Sequence, residues 1–148
     1  MHIRRYNAES DQKFYLEGES ESFKSSYPEV EINSEREEYF QLAIKHKYSQ
    51  KDIHGLTLEV EANPVGMIVL HERIIFSEKI CYITNVYVKN SYRGNGALEL
   101  LFEAAESKSR KIGAGKIILD VTAQNNAALA AYEKLGFVTS RLTMEKML

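Results

Sequence analysis

The stretch Ile80 to Val88 constrains this chain more than any other feature. Its apolar side chains fall on both faces of an extended backbone, so it reads as a central strand that needs helices above and below it. It runs through a short connection into Arg93-Gly94-Asn95-Gly96. Beyond the glycines, Leu98, Leu101, Phe102, Ala105 and Ile112 keep helical spacing, Glu99, Glu103, Glu106 and Arg110 take the other side, and Gly113 stands where a helix end favours positive φ. Lys116 to Val121 then reads as a buried strand, Asn125 to Leu135 as a second helix ended by Gly136, and Phe137 to Met147 as one or two final strands. Strand, glycine loop, helix, strand, helix, strand is an α/β order.

Upstream, Ile3 to Tyr6 reads as a short strand, and Asp11 to Phe23 and Ser34 to Lys47 as polar helices. Leu56, Leu58 and Val60 alternate with Thr57, Glu59 and Glu61, Asn63-Pro64 reads as a turn, and Val65 to Leu70 returns as an apolar run, which makes a β-hairpin. With 148 residues, no internal repeat and no linker, the expectation is one domain over residues 1–148. Hydrophobic residues at 44% and charged ones at 27% exclude disordered and fibrous classes. No apolar run approaches the roughly 20 residues of a spanning helix, so no membrane partner is expected. The start Met1 to Tyr6 lacks the apolar core of a secretory signal, and Cys81 is alone, which excludes an internal disulfide; a cytoplasmic location is the default. Cys81 reads as a small buried thiol. Net charge is -2, without a basic patch interleaved with aromatics, so no nucleic-acid partner is expected.

Two glycines at a helix start allow close backbone approach, and the free N–H groups of the first turn then face an anion such as a phosphate or pyrophosphate. A plain glycine turn explains a lone Gly-x-Gly equally well. An ATPase-type loop needs Lys and Ser or Thr after its last glycine, and here Ala97-Leu98 follow. A dinucleotide-binding turn would use Asp120 on the next strand for a ribose. Against it, Glu99 occupies the third glycine position, and Lys89 to Arg93 separate strand from loop.

Val86-Tyr87-Val88-Lys89-Asn90-Ser91-Tyr92-Arg93-Gly94-Asn95-Gly96-Ala97, taken with Val121 to Phe137, resembles the GNAT superfamily of N-acetyltransferases. Arg93 and Gly96 match a loop of the form Arg-x-x-Gly-x-(Gly or Ala). Asn125, Ala128, Tyr132, Gly136 and Phe137 match the second signature, while Leu98 departs from a position that is normally Gly or Ala. The resemblance implies a splayed, mixed, mostly antiparallel sheet flanked by helices, with acetyl-CoA between the strands ending at Val88 and Val121. It further implies that backbone of Val86, Tyr87 and Val88 pairs with pantetheine, and that N–H groups of Gly94, Asn95, Gly96, Ala97 and Leu98, with the Arg93 charge, receive the pyrophosphate without a metal. Asn125 is expected as an N-cap that also touches the cofactor. Tyr132 is expected in a cofactor contact and as the general acid toward the departing thiolate. The implied reaction is direct acetyl transfer to a primary amine on a small molecule or protein; the alternative is a non-catalytic acyl-CoA-binding module.

A carboxylate that many relatives carry on the central strand is absent from Ile83-Thr84-Asn85-Val86. Thr84 or Asn85 could hold a water, and His71 and Glu72 are further candidates whose plain reading is a solvated hairpin end. No base is assigned. Glu17, Glu19, Glu21, Glu29, Glu31, Glu35, Glu37 and Glu38 crowd the first quarter, and Lys108, Arg110, Lys111 and Lys116 gather later. These are two solvated faces on the plain reading; as one wall of an acceptor site the acidic one would select cationic amines. Monomer and homodimer both remain open.

Overall fold

A computed structural model describes residues 1–148. Five strands form one sheet in the spatial order of the sequence: β1 His2–Arg5, β2 Ile53–Val60, β3 Asn63–Ile75, β4 Glu78–Val88 and β5 Ile117–Leu119. The pairs β1 to β4 are antiparallel, whereas β5 lies parallel to β4. A parallel pair needs a crossover, which is supplied by α3 Ala97–Lys111. Helices α1 Ala8–Ser26 and α2 Ser34–Lys47 precede the hairpins, and α4 Asn126–Lys134 follows β5.

Each sheet face has its own apolar layer. Leu101, Phe102 and Ala105 of α3 bury their expected stripe against Leu58, Ile68, Leu70 and Ile83, and Tyr132, Leu135 and Phe137 pack beside them. On the other face, Phe14 and Tyr15 of α1 cover Met67 and Val69. β4 is thus covered on both sides, as its apolar composition required.

The entry of α1 is fixed by a buried polar knot. Asn7 Oδ1 accepts the Glu9 and Ser10 N–H groups, capping the helix. Arg4 donates to both oxygens of Asp11 at 2.7 and 2.8 Å. Thr57 donates to Asp11 at 3.0 Å, so the Tyr15 hydroxyl must donate to Thr57. Burial alone would raise the Asp11 pKa, but these donors together with the Asn7 N–H outweigh it and hold the carboxyl below its ordinary value.

Two turns differ from expectation. The first hairpin turns at Glu61-Ala62, with φ of 50° and 61°, and Asn63-Pro64 already belongs to β3. Two consecutive positive φ values match the right-handed twist of the flanking strands, and Pro64 sits at a strand start beside a bulge, where no ladder donor is lost. The second hairpin turns the same way at Phe76-Ser77, so His71 and Glu72 lie within β3 instead of at a hairpin end.

The carboxyl end of the chain departs further. β5 keeps only Ile117–Leu119, and residues 137–148 form no strand. Val138, Leu142 and Met144 alternate as a strand requires, yet they are 85%, 80% and 92% exposed. Alternation is necessary for a strand but insufficient without a partner edge. The short β5 offers little edge, and the backbone from Val138 onward makes no hydrogen bond to other backbone.

Candidate functional site: the fork between β4 and β5

The ladder between β4 and β5 holds only Cys81↔Ile117, Tyr82↔Ile118 and Ile83↔Leu119. β4 then continues to Val88, still paired to β3 through Val86↔Ile68, Tyr87↔Met67 and Val88↔Gly66. Beyond Ile83 its other edge has no strand beside it. The cause is local. Val69 pairs Asn85 and Leu70 pairs Ile83, which leaves Thr84 as the extra residue of a β-bulge. A bulge bends its strand and increases the local twist, so β4 turns away where β5 stops. An unpaired, internally placed edge of this kind accepts an extended ligand as an added strand.

The same strand delivers the glycine loop. After Val88 a single 3-10 turn, Asn90–Tyr92, leads to Arg93, whose Nε donates to the Val88 carbonyl at 2.9 Å and fastens the loop to the strand end. Gly94 and Gly96 have φ of 74° and 78°, and Gly96 is the left-handed N-cap of α3 with no side-chain cap. A Cβ built on either glycine meets nothing within 4 Å. The N–H groups of residues 94–99 find no acceptor in the protein. Uncapped amides, a helix dipole and open space together suit a pyrophosphate. Leu98, the residue that departs from the motif, packs against the core cluster, which holds its bulk against the α3 side of the sheet.

Asn125 caps α4, its Oδ1 accepting the Ala128 N–H at 3.2 Å. Its Nδ2 donates to no protein group. Tyr132 stacks within a triad of aromatic rings, 5.8 Å from Phe102 and 6.0 Å from Phe137, and burial raises its pKa, so the phenol stays protonated. Its hydroxyl has no partner in the protein.

Helix α1 roofs the fork from the other face. Ser22 donates to Asn85 Oδ1 at 2.7 Å, and Thr122, just past β5, donates to the Ser26 carbonyl at 3.3 Å. Asn85 is therefore engaged, whereas the Thr84 hydroxyl is buried and unpartnered. Tyr87 donates to Glu17 at 2.9 Å; burial first, then that carboxylate, push Tyr87 up to about 12. The two remaining candidates for a base are already paired. His71 Nε2 lies 2.9 Å from Asp52, and Glu72 lies 2.5 Å from His54 and 3.5 Å from Lys79, with the His54 contact the main reason its pKa is lowered. Cys81 is fully buried and its thiol is pushed up by that burial, which suits packing and not nucleophilic attack. Sequence reasoning missed Ser22 and Tyr82, because nothing in their own neighbourhood signals contact with the fork.

A family model described as Acetyltransferase (GNAT) family matches residues 16–137. "Uncharacterized N-acetyltransferase YdgE" of Bacillus subtilis (strain 168) is 26% identical over 84 residues, covering 57% of this chain and 54% of that protein. The chain thus matches about half the length of that curated relative. Among solved structures, aminoglycoside antibiotic 6'-N-acetyltransferase AAC(6')-Ig from Acinetobacter haemolyticus superposes with a TM-score of 0.80 at 16% identity, covering 100% of this chain and 98% of that one. AAC(6')-Iy in complex with the bisubstrate analog CoA-S-monomethyl-acetylneamine superposes with a TM-score of 0.76 at 14% identity, covering 99% and 97%. At such identities these likenesses show the fold alone. No helix of the chain is long and apolar enough to cross a membrane.

Proposed function

Because the chain belongs to the GNAT family of acetyltransferases, we propose that it transfers the acetyl group of acetyl-CoA to a primary amine by direct attack at the β4–β5 fork. The observation that carries this reading is the continuity of the bare β4 edge with the uncapped N–H groups of residues 94–99. Together they offer an extended main-chain partner at one end and an anion cradle at the other, matching a ligand that has amides in its arm and a pyrophosphate at its end. Acetyl-CoA supplies an activated acetyl group on a thiol that leaves readily.

This chain's residues would act as follows. Backbone of Val86, Tyr87 and Val88 holds the arm and aims N–H dipoles where charge develops on the carbonyl oxygen. Gly94 to Leu98 bind the diphosphate through backbone donors, so no metal is required, and the exposed Arg93 adds charge. Asn125 contributes its free Nδ2. Tyr132 gives its proton to the departing sulfur, a role consistent with a raised pKa that keeps it protonated until needed. Cationic amines suit the acceptor side, because Glu17 of α1 stands beside Tyr87. Glu19 and Glu21 do not join it, since Lys47 pairs with Glu19 at 2.7 Å and Lys24 with Glu21 at 3.2 Å.

Calorimetric titration with acetyl-CoA, NAD and ATP in magnesium-free buffer tests the reading. Micromolar binding of acetyl-CoA alone is expected. Heat from NAD with none from acetyl-CoA would overturn it.

A further inference from the structure

One part of the sheet buries nothing. β2 starts alongside His71 and β5 starts alongside Cys81, so beyond them β3 and β4 continue as a two-stranded ribbon with a free edge on each side. The ribbon ends in Ile74, Ile75 and Phe76, all exposed, with Ile74 at 73% and Phe76 at 91%. Its turn is not that of an ordinary solvent loop. Phe76 and Ser77 have φ of 48° and 66°, a left-handed backbone that suits Asn-Gly and costs Phe and Ser more. An aromatic ring held in water on a strained backbone adds nothing to this fold, so its place is explained by what it meets from outside.

The surroundings of the ribbon are basic. The Gly115 N–H donates to the Lys79 carbonyl at 3.0 Å, which ties the loop after α3 to the base of the ribbon and brings the cationic end of that helix with it. Arg73 is folded over the Tyr82 ring, Lys79 leans to Glu72 at 3.5 Å and Arg110 pairs with Glu106, but Lys108, Lys111 and Lys116 have no anionic partner. A second apolar patch has the opposite sign. On α2, Glu35, Glu38, Tyr39, Leu42 and His46 recur at helical spacing and are all exposed, and from Glu29 to Glu38 the only cation is Arg36. A hollow of about 400 Å³, lined by Asn33, Glu35, Arg36 and Tyr39, opens on this face. The two patches share one end of the molecule. Phe40 of α2 lies 5.0 Å, ring to ring, from Phe23 of α1, and α1 ends with the Ser26 carbonyl accepting from Thr122 and Tyr27 close to Tyr82, where the ribbon begins.

We propose that this end of the molecule is a self-association surface: the basic ribbon of one copy, Ile74 to Phe76, docks on the acidic face of α2 around Tyr39 and Leu42 in a second copy, and the reverse contact forms at the same time. Complementary patches at one end suit a closed two-fold pair, because each copy turns both halves toward the other; patches at opposite ends would build an open chain. The apolar side chains supply the burial, with Phe76 seated in the hollow beside Tyr39. The unpaired lysines and the glutamates of α2 form the rim that selects the partner and fixes its orientation. Since Phe40 carries α2 on Phe23 of α1, the contact braces the roof of the fork from outside. The proposal does not depend on the acetyl-transfer reading.

Sedimentation equilibrium of the full chain compares the wild type with Phe76→Asp and Leu42→Asp, both at exposed positions, while circular dichroism checks that each variant keeps the fold. The wild type is expected to dimerise with a Kd of about 1–100 µM. That Kd should rise at least about tenfold from about 0.05 M to about 0.5 M salt; an unchanged value would refute the charge pairing. Each variant alone should raise it at least about 10²-fold, because one substitution removes the contact twice in a two-fold pair. The mixture of the two variants separates this pairing from others. Phe76→Asp keeps an intact α2 face and Leu42→Asp an intact ribbon, so together they rebuild one of the two contacts and should associate at least about tenfold more tightly than either alone. A ribbon-to-ribbon contact would leave Leu42→Asp as dimeric as the wild type, and an α2-to-α2 contact would leave Phe76→Asp so. Either result refutes the proposal, as does a mixture no tighter than its components. A wild type still monomeric at about 1 mM refutes it as well, and Phe76-dependent sedimentation with anionic vesicles would then give the ribbon to a membrane surface.

Discussion

Replacing Gly18 with alanine isolates what holds the roof of the fork in place. Gly18 is buried in α1, and a Cβ there would stand 2.6 Å from Met67 Sδ, 3.2 Å from Met67 Cε and 3.1 Å from Tyr87 Cβ. Helix propensity alone favours alanine over glycine by about 1 kcal/mol. Packing opposes it. Met67 is fully buried, so its side chain has little room to retreat, and Tyr87 Cβ is anchored to the backbone of a central strand. Overpacking of this kind costs about 1–3 kcal/mol before any propensity gain is subtracted. A cost near the upper end applies because one contact is far inside van der Waals distance, so Gly18→Ala should lose about 1–2 kcal/mol net. Urea unfolding, monitored by circular dichroism, reads this as a lower midpoint with an unchanged slope. The cost should shrink when Gly18→Ala is placed in a Met67→Ala background, because the contacting sulfur is gone. A Gly18→Ala protein as stable as the wild type, or more stable, would refute the reasoning. The helix would also be lifted from β4, which breaks the Ser22 to Asn85 hydrogen bond and couples this packing to the site.

Ala62→Gly should stabilise the protein by about 0.5–1 kcal/mol, because φ of 61° costs alanine but not glycine and a glycine suits the second position of this turn; thermal melting checks it. Asp11→Asn should cost on the order of 2 kcal/mol near pH 7, less than the ~3–5 kcal/mol of a fully buried pair because Arg4 keeps 25% of its side chain exposed. Since the Asp11 pKa is lowered on folding, its contribution is complete above the ordinary value near 3.8 and is lost as pH falls through the folded value; the variant's acid-denaturation curve should be flatter over that interval. Tyr132→Phe should reduce kcat by about 10²-fold with acetyl-CoA affinity nearly intact, as the ring retains its contacts with Phe102 and Phe137; an unchanged rate removes Tyr132 from the acid role.

Much of the fold was legible because its determinants are local. The span of α2, Ser34–Lys47, matches the polar run read there, although its Asn33 cap, which accepts the Arg36 N–H, shows only in the structure, and the positive φ at Gly113 and Gly136 follows from glycine at two helix ends. The burial of β4 on both faces was written in its composition. The turn at Glu61-Ala62 was not, because neither residue is the glycine or asparagine that marks such a turn, and the backbone there is set by the twist of the paired strands. The final strands failed for the complementary reason: residues 137–148 have the right alternation, but alternation says nothing about whether an edge is available.

The candidate site divides along the same line. By itself the sequence determined the glycine loop, the helix that follows it and the aromatic residue at position 132, since each depends on neighbours a few residues away. Only the tertiary structure decided where the sheet opens, because the bulge at Thr84 exists only in register with Val69 and Leu70. Only it brought Tyr82 to Asp120 over 38 positions of chain, and Ser22 to Asn85 over 63. Side-chain chemistry is carried by the residue, but the partner that gives it a role is chosen by strand register and helix packing, which no local pattern encodes.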